Sequence, residues 1–344
     1  MRILRIFGIV LIAAVVAAAI TTVTLVIRRP DQVGRGPIAG SASGNGSLAA
    51  VQRAQPAVVR VERGGVPATP PASASGGTGV VIDTRGYVLT AEALVAGAES
   101  ISVAVPGGKT VPARVVGSDV DDALSLLKID APNLHALALG GAAALDTGSG
   151  VVLLAAPGYP QVAVGAVASA HMSTLIPSPS SPGRARPLND LLALDVSGRE
   201  GQLGAPVLDG SGRLAGLVVA VGGQILAADM SQAQPQVQQL LDAGHASSPS
   251  LGFEFQQLSA SDAADLDVPG GVRVVSVESR AVAQGLGTGD IVVSANGTTL
   301  DPAHPLSRLL RGVAVKQAVA LVVRGAAAGS ARRNISLDVQ LVSP

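Results

Sequence analysis

Short aliphatic runs recur along most of this sequence, each rich in Val, Ile or Leu and each cut off by Gly, Pro, Asp or Ser. The clearest are Ala57 to Val61, Gly79 to Asp83, Tyr87 to Thr90, Ile101 to Val105, Ala113 to Val116 and Leu124 to Ile129. They continue with Val151 to Ala155, Val162 to Ala168, Leu191 to Val196, Pro206 to Leu208 and Leu214 to Val221. β-Branched residues fit a pleated, half-buried surface, and many short strands at regular turn spacing argue a β-barrel or sandwich. With no Trp, three Phe and two Tyr, the core has to be aliphatic.

Several segments break the series. Leu48 to Ala54 reads as a short helix stopped at Pro56, and Gly64 to Gly77 as a long loop. Ser173 to Pro187 carries repeated Pro and Ser and reads as a surface loop. Gln236 to Leu241 is predicted helical, and Gly244 to Pro249 is a hinge. A second unit follows, with strands at Leu251 to Phe255, Val272 to Val277, Ile291 to Ala295, Val319 to Val323 and Ile335 to Leu341. It also has a short helix around Leu306 to Arg311.

Composition excludes several functions. Lys+Arg and Asp+Glu balance at 24 each, so no net field favours nucleic acid, and none is expected as a partner. There is no cysteine, hence no disulfide and no thiol chemistry, and neither a metal nor a cofactor is expected. Phe7 to Ile27 is uncharged and apolar, flanked by Arg2 and Arg5 before it and Arg28 and Arg29 after it. That length can span a bilayer as a helix, so residues 7–27 are expected to contact the membrane. A signal peptide cleaved near Ala17-Ala18-Ala19 is the competing reading, but the apolar run continues past them. Pro30 to Gly46, rich in Gly, Ser and Pro, reads as a flexible tether.

Ordered segments carry a family resemblance: Pro56-Ala57-Val58-Val59, Gly77-Thr78-Gly79-Val80-Val81-Ile82-Asp83, Gly86-Tyr87-Val88-Leu89-Thr90, Val116-Gly117-Ser118-Asp119, Leu127-Lys128-Ile129-Asp130 and Gly201 to Val207. In order and spacing they resemble the HtrA family, which implies a trypsin-like double β-barrel followed by a PDZ domain. Asp195 to Val207 aligns without a gap to the family's active-site loop, and Leu203 stands at the nucleophile serine. The base His position, in a Thr-Asn-Asn-His-Val-Val segment of the family, is Ala93 here, and the orienting Asp position is Ala123. The catalytic residue set is therefore expected to be empty, because an aliphatic side chain cannot be activated by a base.

Neighbouring groups are poor substitutes. Asp122 and Glu92 each lie one residue away, and in extended chain that shift turns a side chain to the opposite face. Asp121 and Asp122 are expected to form a solvated turn. His135, His171, His245 and His304 fall outside the matching segment and are expected on the surface or in loops. Ser197 and Ser211 flank the loop several residues from the nucleophile position. Gly201 and the Leu203 N–H would remain as a vestigial oxyanion loop, with Glu200 standing where the family has proline.

Ser250-Leu251-Gly252-Phe253 resembles the carboxylate-binding loop of PDZ domains, supported by Ala283 to Val292 and the Asn296-Gly297 turn. The resemblance implies that Leu251, Gly252, Phe253, Phe255, Leu306 and Leu310 bind peptide C-termini, whose strand joins a sheet edge.

The expectation is a mainly β chain: 1–29 transmembrane anchor, 30–47 linker, 48–243 trypsin-like pseudoprotease domain and 248–344 PDZ domain. It would be a single-pass inner-membrane protein with an extracytoplasmic body that binds protein or peptide C-termini, and an active protease relative as a further partner. The alternative is a serine-type endopeptidase with a rearranged active site.

Overall fold

In the computed structural model, the aliphatic runs close into barrels. The structure describes residues 44–64, 76–139, 144–159, 162–177, 185–199, 201–244, 248–301, 304–311, 313, 316–325 and 331–342. The apolar run 7–27, the tether from 30 onward to 43, Glu200 and His245 lie outside them. Among the described residues, no helix is long and apolar enough to cross a membrane.

Helix α1 (Gly44–Ala54) runs into a 3₁₀ turn carrying Pro56 and then into the first barrel. That barrel comprises β1 (Val58–Gly64), β2 (Gly76–Asp83), β3 (Tyr87–Ala91), β4 (Ser100–Ala104), β5 (Thr110–Asp119) and β6 (Leu124–Ile129). The strands close in the order β1-β2-β3-β6-β5-β4. A one-turn helix, α2 (Glu92–Val95), follows β3.

The second barrel comprises β7 (Gly150–Leu154), β8 (Val162–Pro177), β9 (Ala185–Leu194), β10 (Pro206–Leu208), β11 (Leu214–Val221) and β12 (Ile225–Asp229). It closes in the order β10-β11-β12-β9-β8-β7. Strands β7, β10, β11 and β12 are almost wholly apolar because both of their faces are covered, whereas β8 leaves Val162, Val164 and Leu175 exposed. Leu192, Leu194, Ala215, Val218, Ile225 and Ala227 point into one core cluster. Their neighbours Leu191, Ala193, Leu214, Leu217, Leu226 and Ala228 join the core that contains the first barrel. Helix α3 (Met230–Ala243) is capped by Asp229, whose side chain accepts the Ser231 N–H at 2.8 Å. It adds Val237 and Leu240 to that same core.

The C-terminal part is a sheet ordered β14 (Phe253–Gln257), β15 (Val272–Val277), β16 (Ile291–Ala295), β18 (Ala318–Arg324), β19 (Arg332–Asp338). Strand β17 (Thr298–Thr299) pairs with β16, and β13 (Ser248–Ser250) pairs with β20 (Gln340–Val342). Helices α4 (Ala260–Asp265), α5 (Ser279–Ala283) and α6 (Leu306–Arg311) complete it. Residues 42–344 form one compact unit.

Two expectations are corrected and one strand is added. Residues 173–177 and 185–187 are strand, paired as Thr174 with Leu188 and Leu175 with Pro187, so the described ends of the Pro/Ser stretch are paired strand. Strand β12 carries little sequence signal, because Ile225-Leu226-Ala227-Ala228 is short and poor in β-branched residues. The run Ile335 to Leu341 breaks at Val339, whose carbonyl accepts the Lys316 N–H at 2.7 Å while the chain leaves one sheet for the other.

Candidate functional site

Ala93, Ala123 and Leu203 come from three separate segments, and α2 gathers them. The Glu92 N–H at the start of α2 donates to the Ala123 carbonyl at 2.8 Å. On its other side, the Leu94 side chain and the Leu203 carbonyl close together on the Gly77 backbone. The Thr78 N–H donates to that Leu203 carbonyl at 2.8 Å, and the Thr78 hydroxyl donates to the Gly201 carbonyl at 2.6 Å. Ala123 holds a left-handed φ of 54°, costly for a residue with a Cβ. Gly201 has φ 79°, and a Cβ there would collide with the ring of Tyr159. The loop is thus pinned from beneath by Thr78 and covered by Tyr159, which itself carries the Arg60 guanidinium at 4.9 Å.

The neighbouring ionisable groups have other partners. Glu92 is buried and ion-paired with Arg186. Burial pushes its carboxyl up, against the pull of Arg186. Asp121 is exposed as expected, but Asp122 is buried, which corrects the solvated-turn expectation. Arg311 at the end of α6 reaches it at 2.7 Å, a contact across 189 positions of sequence that no local pattern contains. Asp119 is buried beside it and accepts the Asp121 and Asp122 N–H groups at 3.1 and 3.4 Å. Burial and the adjacent Asp122 and Asp121 charges push its carboxyl up to about 8. Asp119 Oδ2 and Asp122 Oδ2 both lack a donor. A proton on Asp119 lets the pair satisfy each other.

Among the histidines, His135 and His304 are exposed as expected. His171 corrects the surface expectation: it lies on β8, half-buried, and pairs with the buried Asp190 of β9. Ser197 is exposed, and the Ser211 hydroxyl donates to Asp209 Oδ1 at 2.6 Å.

A cavity of about 430 Å³ opens between β14, α6 and the turn after β5. Leu251, Phe253, Phe255 and Leu310 form its apolar wall. Asp119, Asp121, Asp122, Arg186 and Arg311 face them. Such a volume lies within the range of about 300–1,000 Å³ usual for small-ligand sites. Polar atoms without a partner concentrate on its lining residues: Arg186 Nε, Gln236 Oε1, Ser307 Oγ and Arg311 Nη1, besides the two aspartate oxygens. Leu306, expected in the groove, is fully buried in the core with Leu251, Phe253 and Leu310 and is not among the cavity's lining residues. Gly252 holds φ 82°, where a Cβ would run into the Arg280 side chain. Arg280 is anchored on Glu278 at 3.0 Å and on the Asp338 carbonyl at 3.2 Å, so a cation is fixed against this loop. Arg186, Asn189 and Arg311 had no signal in the sequence, because each acts across elements far apart in the chain.

Residues 77–217 match the trypsin-like peptidase domain family. The chain is 29% identical over 259 residues to the probable periplasmic serine endoprotease DegP-like of Halomonas elongata, spanning 72% of this chain and 53% of that protein. It is 30% identical over 269 residues to the chloroplastic Protease Do-like 1 of Arabidopsis thaliana, spanning 72% and 61% respectively. The chain thus spans roughly half to three-fifths of these relatives' length. Its fold resembles a structure of the HtrA-type protease AlgW with tripeptide, with TM-score 0.61 and 25% identity over 86% of this chain and 97% of that one. With two closed barrels, this family match and these relatives, the chain is an HtrA-type family member built on a trypsin-like peptidase domain.

Proposed function

We propose that this chain is a membrane-anchored, extracytoplasmic pseudoprotease that acts by binding proteins or peptides, as a scaffold, adaptor or regulator. The observation that carries the reading is the side-chain chemistry around α2. Where the family resemblance sets base, acid and nucleophile, this sequence has Ala93, Ala123 and Leu203. A carbonyl could still meet the loop's backbone N–H groups, but nothing there can attack it. Binding falls to residues 248–344, read as a PDZ domain with Leu251, Gly252, Phe253, Phe255 and Leu310 around the ligand. The fixed Arg280 beside the Gly252 loop suits a terminal carboxylate, and β14, last in its sheet, suits a short added strand at its start. The AlgW structure with tripeptide supports a peptide as ligand. Residues 7–27 provide the anchor by their length, and the word periplasmic in a relative's name supports the extracytoplasmic side. An active protease relative is a natural partner.

A second reading, a serine-type endopeptidase with a rearranged site, is favoured by the His171–Asp190 pair. That pair sits on β8 and β9, and Asp190 also faces Arg308 at 4.0 Å. A fluorophosphonate probe separates the readings. The pseudoprotease stays unlabelled while binding C-terminal peptides; labelling lost in Asp190→Asn would establish the second.

A further inference from the structure

Strand β14 ends its sheet, so one edge is open to an added strand. In an antiparallel strand the N–H and C=O of alternate residues point to the same edge. The Gly252 carbonyl and the Leu258 N–H are taken on the β15 side, by the Glu278 N–H at 2.8 Å and the Gly271 carbonyl at 2.9 Å. The groups of Phe255 and Gln257 that face the other way are not empty. Asn189, on barrel strand β9, donates from Nδ2 to the Phe255 carbonyl at 2.9 Å and accepts the Gln257 N–H on Oδ1 at 3.2 Å. One side-chain amide thus satisfies two of the backbone groups that an incoming strand would use. It is held firmly, between the fully buried Leu188 and the buried Asp190, which is itself paired with His171.

We propose that Asn189 is a specificity-determining residue that limits the cavity to a chain end of about three residues, counted by the strand's two-residue period from the Gly252 loop. This rests on the peptide-binding reading given above. With a carboxylate at that loop, the terminal residue lies opposite Phe253 and the third from the end opposite Phe255. The third residue's N–H needs the Phe255 carbonyl, which Asn189 already occupies. Residues further upstream meet the Asn189 amide on Gln257, so they leave β14 for solvent. The cavity of about 430 Å³ has Asn189 among its lining residues, as a site for a short chain end requires.

The test uses the full-length protein in detergent and two peptide libraries randomised at the last three positions: acetylated tripeptides, and decapeptides with the same ends on a Gly-Ser extension. The unmodified protein should bind matched tripeptides and decapeptides with affinities within about twofold, since the extension gains no contact. Asn189→Ala should strengthen decapeptides roughly tenfold, the worth of one to two net backbone hydrogen bonds, and acetylated tripeptides by less, since they reach the freed Phe255 carbonyl but not Gln257. Asn189→Asp keeps the acceptor for Gln257 but loses the donor to Phe255, and should give a smaller gain. Melting curves of both variants establish that they fold. If decapeptides already exceed tripeptides on the unmodified protein and Asn189→Ala leaves the ratio unchanged, the length limit is wrong while the groove stands. If neither library binds any of the three folded proteins, the groove itself falls.

Discussion

Asp119→Asn should remove a slope in the stability of this protein between pH 4 and pH 8. Asp119 is buried, and its carboxyl is pushed from the ordinary 3.8 up to about 8 by burial and by Asp122 and Asp121. The native state therefore holds a proton that the unfolded chain releases above pH ~4. Below that pH the residue is protonated in both states and costs nothing. Through the window up to about 8, each pH unit lowers native stability by about 1.4 kcal/mol, and above it the loss levels off. Between pH 5 and pH 7.5 the difference is on the order of 3 kcal/mol. Asparagine keeps the oxygen that accepts the Asp121 and Asp122 N–H groups and supplies a permanent donor toward Asp122. The chain has no Trp, so urea unfolding is followed by circular dichroism at pH 5, 6 and 7.5 at constant ionic strength. The variant should match the parent near pH 4 and exceed it increasingly as pH rises. Parallel curves would refute the protonated-pair assignment.

Gly252→Trp should abolish C-terminal peptide binding by fluorescence anisotropy, because the left-handed loop and the Arg280 contact leave no space for a side chain; retained affinity would remove the loop from the site. Leu203→Ser alone should stay inactive on unfolded casein, since an unassisted hydroxyl is a poor nucleophile. Adding Ala93→His and Ala123→Asp should yield weak cleavage at most, because misplacement of about 1 Å costs on the order of 10² in rate and Tyr159 covers the loop at Gly201. Activity in the single variant would mean that a base is already in place. The full chain should stay with membranes through a high-salt wash and need detergent for release; a mature N-terminus mapped near Ala19 would contradict the anchor.

Much of the barrel framework was legible because its signals are local. Strands β6, β10, β11, β15 and β16 and helix α6 have the boundaries that their aliphatic runs and turns suggest. The pairing of β8 with β9 was not legible, because Ser173, Pro177 and Pro187 speak against strand while cross-strand pairing overrides them. Positions 93, 123 and 203 could be named in the sequence, since each sits in a matched segment. Their surroundings could not. Asp122 becomes buried only when Arg311 arrives from α6, and the β14 edge is filled only by Asn189 from the barrel. Contacts of that separation leave no periodicity to read.

The account's central claim is that this protease fold binds without cutting. Its most direct measurement is incubation of residues 42–344, the compact unit, with unfolded casein over many hours, with and without a serine-directed inhibitor. The account predicts intact casein in both samples; cleavage that the inhibitor suppresses would contradict it.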